Sequence, residues 1–191
     1  FTRTLRYNTS ITLNPSASIV AYHNFCSNGI FDPDITGGGH QPLGFDQLMG
    51  VFYDHAVVIG SKIKVEVVSS SDISTGFSLV GIDHRDTLGY GLTKEESIEQ
   101  GRSTWKLIGA NGNGRPQTLT RKVNPNKFLG RSSPLSDPDL KNSASSNPTE
   151  RAFWTIWCAS ADGTVDPSAI SLNVTLEYMC VFLEPKTLTG S

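Results

Sequence analysis

Hydrophobic and polar residues alternate with a period of two through most of this 191-residue chain. Between residues 4 and 13, Leu5, Tyr7, Ile11 and Leu13 fall on one side of an extended backbone. Thr4, Arg6, Asn8, Ser10 and Thr12 fall on the other. Successive side chains of extended backbone point to opposite faces, so this is a strand with one buried face, ended by Pro15. A second strand is expected over 19–26, apolar on both faces through Val20, Ala21, Tyr22 and Phe25. A third runs over 56–69, with Ile63, Val65 and Val67 opposite Lys62, Lys64 and Glu66. Shorter strands follow over 77–82, 104–108 and 117–123. Residues 152–159 carry Phe153, Trp154, Ile156 and Trp157 on both faces, which places that strand centrally in a sheet. The last strand, 170–183, alternates Ile170, Leu172, Val174 and Leu176 with Ser171, Asn173, Thr175 and Glu177. It then turns apolar on both faces from Tyr178 to Leu183, so it begins half exposed and ends inside the protein or against a partner. Eight strands with this patterning predict an all-β protein, an eight-stranded antiparallel jelly-roll sandwich with short helices in the loops.

Helical signals are few. Phe45, Leu48, Met49 and Phe52 stand at i, i+3, i+4 and i+7, which predicts a short helix with one apolar face after Pro42. That face packs on the sandwich or on a neighbouring molecule. Thr93-Lys94-Glu95-Glu96 is a capping box and opens a helix of one or two turns over 93–100. Both helices lie between strands and decorate loops. Long connections span 28–44, 83–92 and 124–147; the last is rich in Ser, Pro and Asn and reads as a mobile surface loop.

Composition narrows the function classes. A hydrophobic content of 37% with 9% aromatics is too rich for a disordered chain, and 18% charged residues is too few for a coiled coil. Eighteen glycines and ten prolines imply many turns around one domain spanning residues 1–191. The net charge of −2 gives this segment by itself no electrostatic grip on nucleic acid or an anionic membrane. No apolar run approaches the length of a membrane span, so no membrane insertion is expected. The start at Phe1-Thr2-Arg3 suggests a fragment or the ordered part of a longer chain. Cys26, Cys158 and Cys180 are odd in number, widely spaced and set in apolar stretches, and read as buried reduced thiols of an intracellular product.

Candidate chemistry is sparse. Gly37-Gly38-Gly39-His40 is followed by Gln41-Pro42, where a phosphate loop requires Lys-Ser/Thr and a helix, so the glycines read as tight-turn residues. Asp83-His84-Arg85-Asp86 carries two readings, a metal cluster or a strand-end loop that solvates its own charges. Asp32 and Asp34 flank Pro33 and suit Asx-type turns. A jelly roll also raises a cupin-like metal enzyme, yet His23, His40, His55 and His84 never pair at the required spacing. A Gly-x-Ser-x-Gly nucleophile elbow is absent. Asn8-Thr9-Ser10 and Asn173-Val174-Thr175 fit a glycosylation pattern but lie inside predicted strands. These residues support no catalytic set, no metal ligands and no cofactor. A carbohydrate-binding, lectin-like module is the other alternative, with Phe31, Asp32, Asp34 and Tyr90 as its loop aromatics and carboxylates.

A family resemblance rests on particular stretches. These are Tyr22-His23-Asn24-Phe25, Asn28-Gly29-Ile30-Phe31-Asp32-Pro33-Asp34-Ile35-Thr36-Gly37 and Gly39-His40-Gln41-Pro42-Leu43-Gly44-Phe45-Asp46-Gln47. Gly60-Ser61-Lys62-Ile63-Lys64-Val65, Trp105-Lys106-Leu107, Asn147-Pro148-Thr149-Glu150, Glu177-Tyr178 and Phe182-Leu183-Glu184-Pro185-Lys186-Thr187-Leu188 complete them. In this order they resemble the capsid (coat) proteins of circular Rep-encoding single-stranded DNA viruses, the circovirus-like or CRESS-DNA group. The resemblance implies a jelly-roll subunit without catalytic activity. About sixty identical copies would close into a small icosahedral (T=1) shell around circular single-stranded DNA. It also implies residence in the virion, with assembly in the host cell nucleus, and a basic N-terminal arm that neutralises most of the packaged DNA and is missing before residue 1. Arg3 and Arg6, nearest the place where such an arm enters, are then the first candidates to contact phosphate, followed by Arg121, Lys122 and Lys127. A solvated strand face or an ion pair between subunits explains each of the five equally well. Phe45, Leu48, Met49, Phe52 and Trp105 are the candidates for contacts between subunits.

Overall fold

The computed structural model describes residues 1–68, 76–109 and 117–187. Ser69, at the end of the third predicted strand, and Leu188 of the closing motif lie outside the described residues. The strands are β1 (Thr2–Leu13), β2 (Ala21–Cys26), β3 (Tyr53–Val68), β4 (Ser78–Arg85), β5 (Ser103–Ile108), β6 (Gln117–Val123), β7 (Phe153–Ser160) and β8 (Ile170–Pro185). They form two antiparallel four-stranded sheets, ordered β1-β8-β3-β6 and β2-β7-β4-β5. Strands from opposite ends of the chain lie side by side, as the jelly roll requires. β1 pairs with β8 along its whole length, from Thr2 with Val181 to Leu13 with Ile170.

That register turns every alternating set the same way. Leu5, Tyr7, Ile63, Val65, Leu172, Val174 and Leu176 of the first sheet meet Phe25, Val80, Ile82, Trp154 and Ile156 of the second, and all are buried. The polar tips inside this core are satisfied. Trp154 Nε1 donates to Ser61 Oγ across the sheets at 2.9 Å, and the Tyr178 hydroxyl donates to the Cys26 carbonyl at 2.8 Å. All three cysteines are buried free thiols, and burial pushes each up to about 12. β7 is an interior strand with all of its residues buried, as its two apolar faces imply.

Four local expectations are corrected. β2 begins at Ala21, leaving Ile19 exposed outside the strand and Tyr22 half exposed at its start. The short helix after Pro42 is present over Asp46–Phe52 but wound as a π-helix, with the Tyr53 N–H reaching back five residues to the Leu48 carbonyl, and its apolar face omits Phe52. Wider winding advances fewer degrees per residue, so the i+7 position leaves the face that holds Phe45, Leu48 and Met49, and Phe52 stays exposed. β4 runs on through Asp83, His84 and Arg85, where a loop was expected. Finally, the 124–147 connection contains a short helix at Pro125–Phe128 and a 3-10 turn at Pro138–Leu140. It is pinned from inside. Asn126 donates to the Val58 carbonyl, and Asn142, wholly buried, donates to Asn28 and Ala56 while accepting from the Ile30 N–H.

The helix behind the predicted capping box is α1 (Lys94–Glu99). Its box closes in both directions, with the Glu96 N–H donating to Thr93 Oγ1 at 3.2 Å and the Thr93 N–H to Glu96 Oε2 at 2.8 Å.

Candidate surfaces for assembly and nucleic acid

Alternation in the first sheet sends one set of residues outward in cross-strand rows. Arg6, Glu177, Lys62 and Lys122 stand opposite one another from β1 to β6, and Asn8, Thr175, Lys64 and Thr120 form the next row. Four cations (Arg6, Lys62, Lys64, Lys122) thus face two carboxylates (Glu66, Glu177) on one polar surface. Glu177 is held between Arg6 Nε at 3.1 Å and Lys62 Nζ at 3.2 Å, and these bonds keep its carboxyl below the usual range. Lys64 is tied to Glu66 at 2.7 Å. Lys122 is exposed and has no ion pair among the described residues.

The five cations singled out from the sequence do not converge. Arg6 and Lys122 share this outer face. Arg3 pairs in register with buried Cys180, so it has the inward phase but lies exposed at the strand end. Arg121 also has the inward phase, opposite Ile63. It is half-buried and donates to the Ile82 carbonyl at 3.1 Å. Lys127 is exposed on the helix at Pro125–Phe128. Lys62 and Lys64 complete the field and were signalled by their alternation with Ile63 and Val65; that signal was read only as a strand face.

The apolar candidates divide as sharply. Phe45, Leu48 and Met49 are buried in the chain's own core, which leaves no side-chain surface for a neighbour. Phe52 and Trp105 are exposed, at 47% and 44%. Phe52 has exposed Val51 beside it, and Trp105 shares its face of edge strand β5 with exposed Leu107.

Two motif readings are resolved by geometry. The Gly37–39 run is tight-turn structure. Gly38 has φ +67°, and a Cβ on Gly39 would lie 2.3 Å from the Tyr7 hydroxyl oxygen. Asp34 accepts from the Gly37 N–H at 2.9 Å and contacts His23 Nε2 at 2.6 Å, so this buried carboxylate is already engaged. In the Asp83-His84-Arg85-Asp86 stretch, Asp83 and His84 are buried strand residues, not a solvated loop. Asp83 is buried on the outward side of β4, under α1, where it accepts from Ser97 Oγ at 3.0 Å, Trp157 Nε1 at 2.9 Å and Ser103 Oγ. Among the described residues no group of three or more His, Cys, Asp or Glu side chains gathers as a metal site. Three of the four lectin-like candidates are engaged within the fold. Asp34 is buried, Phe31 packs against the core, and the Tyr90 hydroxyl donates to Ser97 Oγ at 2.7 Å.

No protein-family model matches the chain, and no curated protein sequence matches it either. Solved structures do. The 60-mer BFDV capsid protein is 10% identical with a TM-score of 0.51, covering 100% of this chain and 97% of that one. The decameric BFDV capsid protein is 9% identical with a TM-score of 0.51, covering 96% and 99%. A turnip yellow mosaic virus chain is 14% identical with a TM-score of 0.47, covering 100% and 98%. At these identities the two BFDV likenesses show a shared fold, the jelly roll, along nearly the whole length of both chains.

Proposed function

We propose that this chain is a coat subunit that assembles with copies of itself into a small icosahedral shell around a nucleic-acid genome. The observation that carries the reading is the end-to-end match of both four-stranded sheets with a subunit that forms a 60-mer. A subunit fold shared from first strand to last fits a module that tiles with copies of itself. Exposed Trp105 and Leu107 on edge strand β5, and Phe52 with Val51 beside the π-helix, supply the apolar surface that a neighbour would cover. Within this reading the genome is circular single-stranded DNA and the family is circovirus-like, on the strength of the motifs quoted above. The DNA then meets the Arg6–Lys62–Lys64–Lys122 face, while Arg3 and Lys127 lie outside it. Catalysis has no part in this function, and the protein resides in the virion.

Negative-stain electron microscopy with sedimentation velocity tests the proposal. Uniform closed particles of tens of subunits are expected at raised protein concentration and ionic strength. A protein that stays strictly monomeric under those conditions would sink it.

A further inference from the structure

A cleft of about 420 Å³ opens at the end of the sandwich where β4 and β6 meet the helix at Pro125–Phe128. Its polar lining is His84, Asp86, Arg102, Arg121 and Glu150, and its apolar wall is built around Phe128 and Val123. The two guanidiniums have no carboxylate within ion-pair distance among the described residues. Arg102 lies over the Phe128 ring at 5.8 Å, and Arg121 donates to the Ile82 carbonyl and feels the Asp83 charge at longer range. Glu150, by contrast, already has Arg131 at 3.5 Å.

His84 adds a second, independent observation. Its ring is 1% exposed, packed on Phe128 at 4.3 Å and Trp154 at 4.6 Å, with Nε2 2.9 Å from Ser27 Oγ. Among the described residues, Nδ1 is the buried side-chain polar atom left without a hydrogen-bond partner. A buried unpaired donor or acceptor is costly and marks a place where a partner belongs. Burial, then the charges of Arg121 and Arg102, push this imidazole down to about 3, so it is neutral at neutral pH. The same effect places both guanidiniums close enough to act on the ring. When the Ser27 hydroxyl donates to Nε2, Nδ1 carries the proton and is a donor; when Nε2–H donates to Ser27 Oγ, Nδ1 is an acceptor.

We propose that this cleft binds a nucleoside monophosphate unit, with the phosphate on Arg102 and Arg121 and the nucleoside along Phe128. Two guanidiniums without a carboxylate partner, beside a neutral imidazole whose Nδ1 has no partner among the described residues, suit a phosphate, which accepts in several directions at once. The volume exceeds what a bare oxyanion fills and falls in the range of small-ligand pockets. Asp86 repels a second anion but accepts from sugar hydroxyl or base amino groups, which a nucleoside places several ångströms from its phosphate and inorganic phosphate does not have. The unit is either a free nucleotide or one residue of a single strand. All eight residues of the lining belong to one chain, so the cleft does not depend on shell formation.

Isothermal titration calorimetry on the full chain, with dAMP, inorganic phosphate and a six-residue deoxyadenylate as separate titrants, tests the site. Saturable dAMP binding is expected, weakened about tenfold or more by Arg102→Gln, an exposed position whose change leaves the fold intact. Arg121→Lys, which keeps a donor for the Ile82 carbonyl, is the second variant and weakens binding in the same direction. Hexanucleotide binding tighter than dAMP with the same sensitivity to both variants assigns the cleft to a strand, and equal affinities assign it to a free nucleotide. Either result supports the site. Inorganic phosphate binding as tightly as dAMP overturns the nucleoside assignment. No saturable dAMP binding at millimolar concentration, or binding undiminished in both variants, overturns the proposal whether or not particles form.

Discussion

The outer faces of the two sheets solve the same problem with different materials. The β1-β8-β3-β6 sheet presents Thr, Ser, Asn, Lys and Glu to water, held by cross-strand pairs such as Arg6–Glu177 and Asn8–Thr175. The β2-β7-β4-β5 sheet carries an aromatic row instead: Tyr22, then Trp157 lying over Gly81, then Trp105. Its centre is roofed by the 86–102 connection. Tyr90 sits 6.0 Å from both Tyr22 and Trp157, and Lys94 Nζ clamps α1 to the carbonyls of Ser160 and Ala161 at 2.8 and 2.6 Å. A roofed sheet is buried on both sides, so any charge beneath it must be fully hydrogen-bonded. Asp83 is. An open sheet tolerates loosely paired charges at little cost.

Glycine gives the strongest way to break this contrast. A Cβ on Gly81 would stand 2.2 Å from Trp157 Cε2, inside a wholly buried indole, whereas a Cβ on Gly60 would meet Met179 at an ordinary 3.5 Å. Gly81→Ala is expected to cost more than about 3 kcal/mol by urea unfolding, and Gly60→Ala under about 1 kcal/mol. Equal effects would show that the roof gives way.

The carboxylates come next. Asp83→Ala strands the donors of Ser97 and Trp157, while the Ser103 hydroxyl keeps the Ser97 carbonyl, and is expected to cost about 2 to 3 kcal/mol. Glu177→Ala breaks two solvent-screened pairs and is expected to cost under about 1 kcal/mol. A salt titration sharpens the difference, since only the Glu177 effect should shrink in 1 M salt.

How much of this was legible in the chain follows from the range of each interaction. β1, β3 and β8 announced themselves because a half-exposed strand writes its burial into every second residue. β7 announced itself because both its faces are apolar. Asp83 and His84 looked like a loop because their partners Ser97, Ser103, Trp157 and Ser27 stand 14 to 74 residues away, and no local rule separates a roofed carboxylate from a solvated one. The 124–147 connection was misread for a related reason: its Ser and Pro content is that of a free loop, while its anchors are two asparagines whose buried partners lie up to 114 residues away. The face of Phe45, Leu48 and Met49 was visible, but the π winding that frees Phe52 was not. Of the cationic candidates, strand phase alone separates Arg121 from Lys122, and phase was readable only once the register with β3 was known.

Acid separates the two sheets by window, through His84 on the inward side of β4 and Glu177 on the open face of β8. The folded-state pKa of His84 lies near 3, below its ordinary 6.5, so the unfolded chain takes up the proton first and stability falls as pH drops from 6.5 toward 3. The groups facing it are Arg102 and Arg121, with Asp86 and Glu150 across the same cleft. Glu177 is also depressed, from 4.5, so its contribution is present above 4.5 and fades only below that. Melting curves are expected to lose up to about 2 kcal/mol between pH 6.5 and 4.5, and His84→Phe is expected to flatten that interval. Glu177→Gln should leave it unchanged. A wild-type curve that is flat there would remove His84 as the acid-sensitive element.

The smallest effect bears on which sheet would meet a single strand under the proposed function. Lys122 is exposed and unpaired among the described residues, one position across from Lys62, which Glu177 already holds. Lys122→Ala should change stability by under about 0.5 kcal/mol. The log–log salt slope for binding of a short oligodeoxynucleotide should fall by about 0.7, the counterion share of one phosphate contact on a single strand. Trp105→Ala, on the other sheet, should leave the slope where it was. If instead Trp105→Ala weakens binding at all salt concentrations while Lys122→Ala is silent, bases are stacking on the aromatic row. The open polar face would then be the outside of the assembly, and the assignment of the two sheets would have to be exchanged.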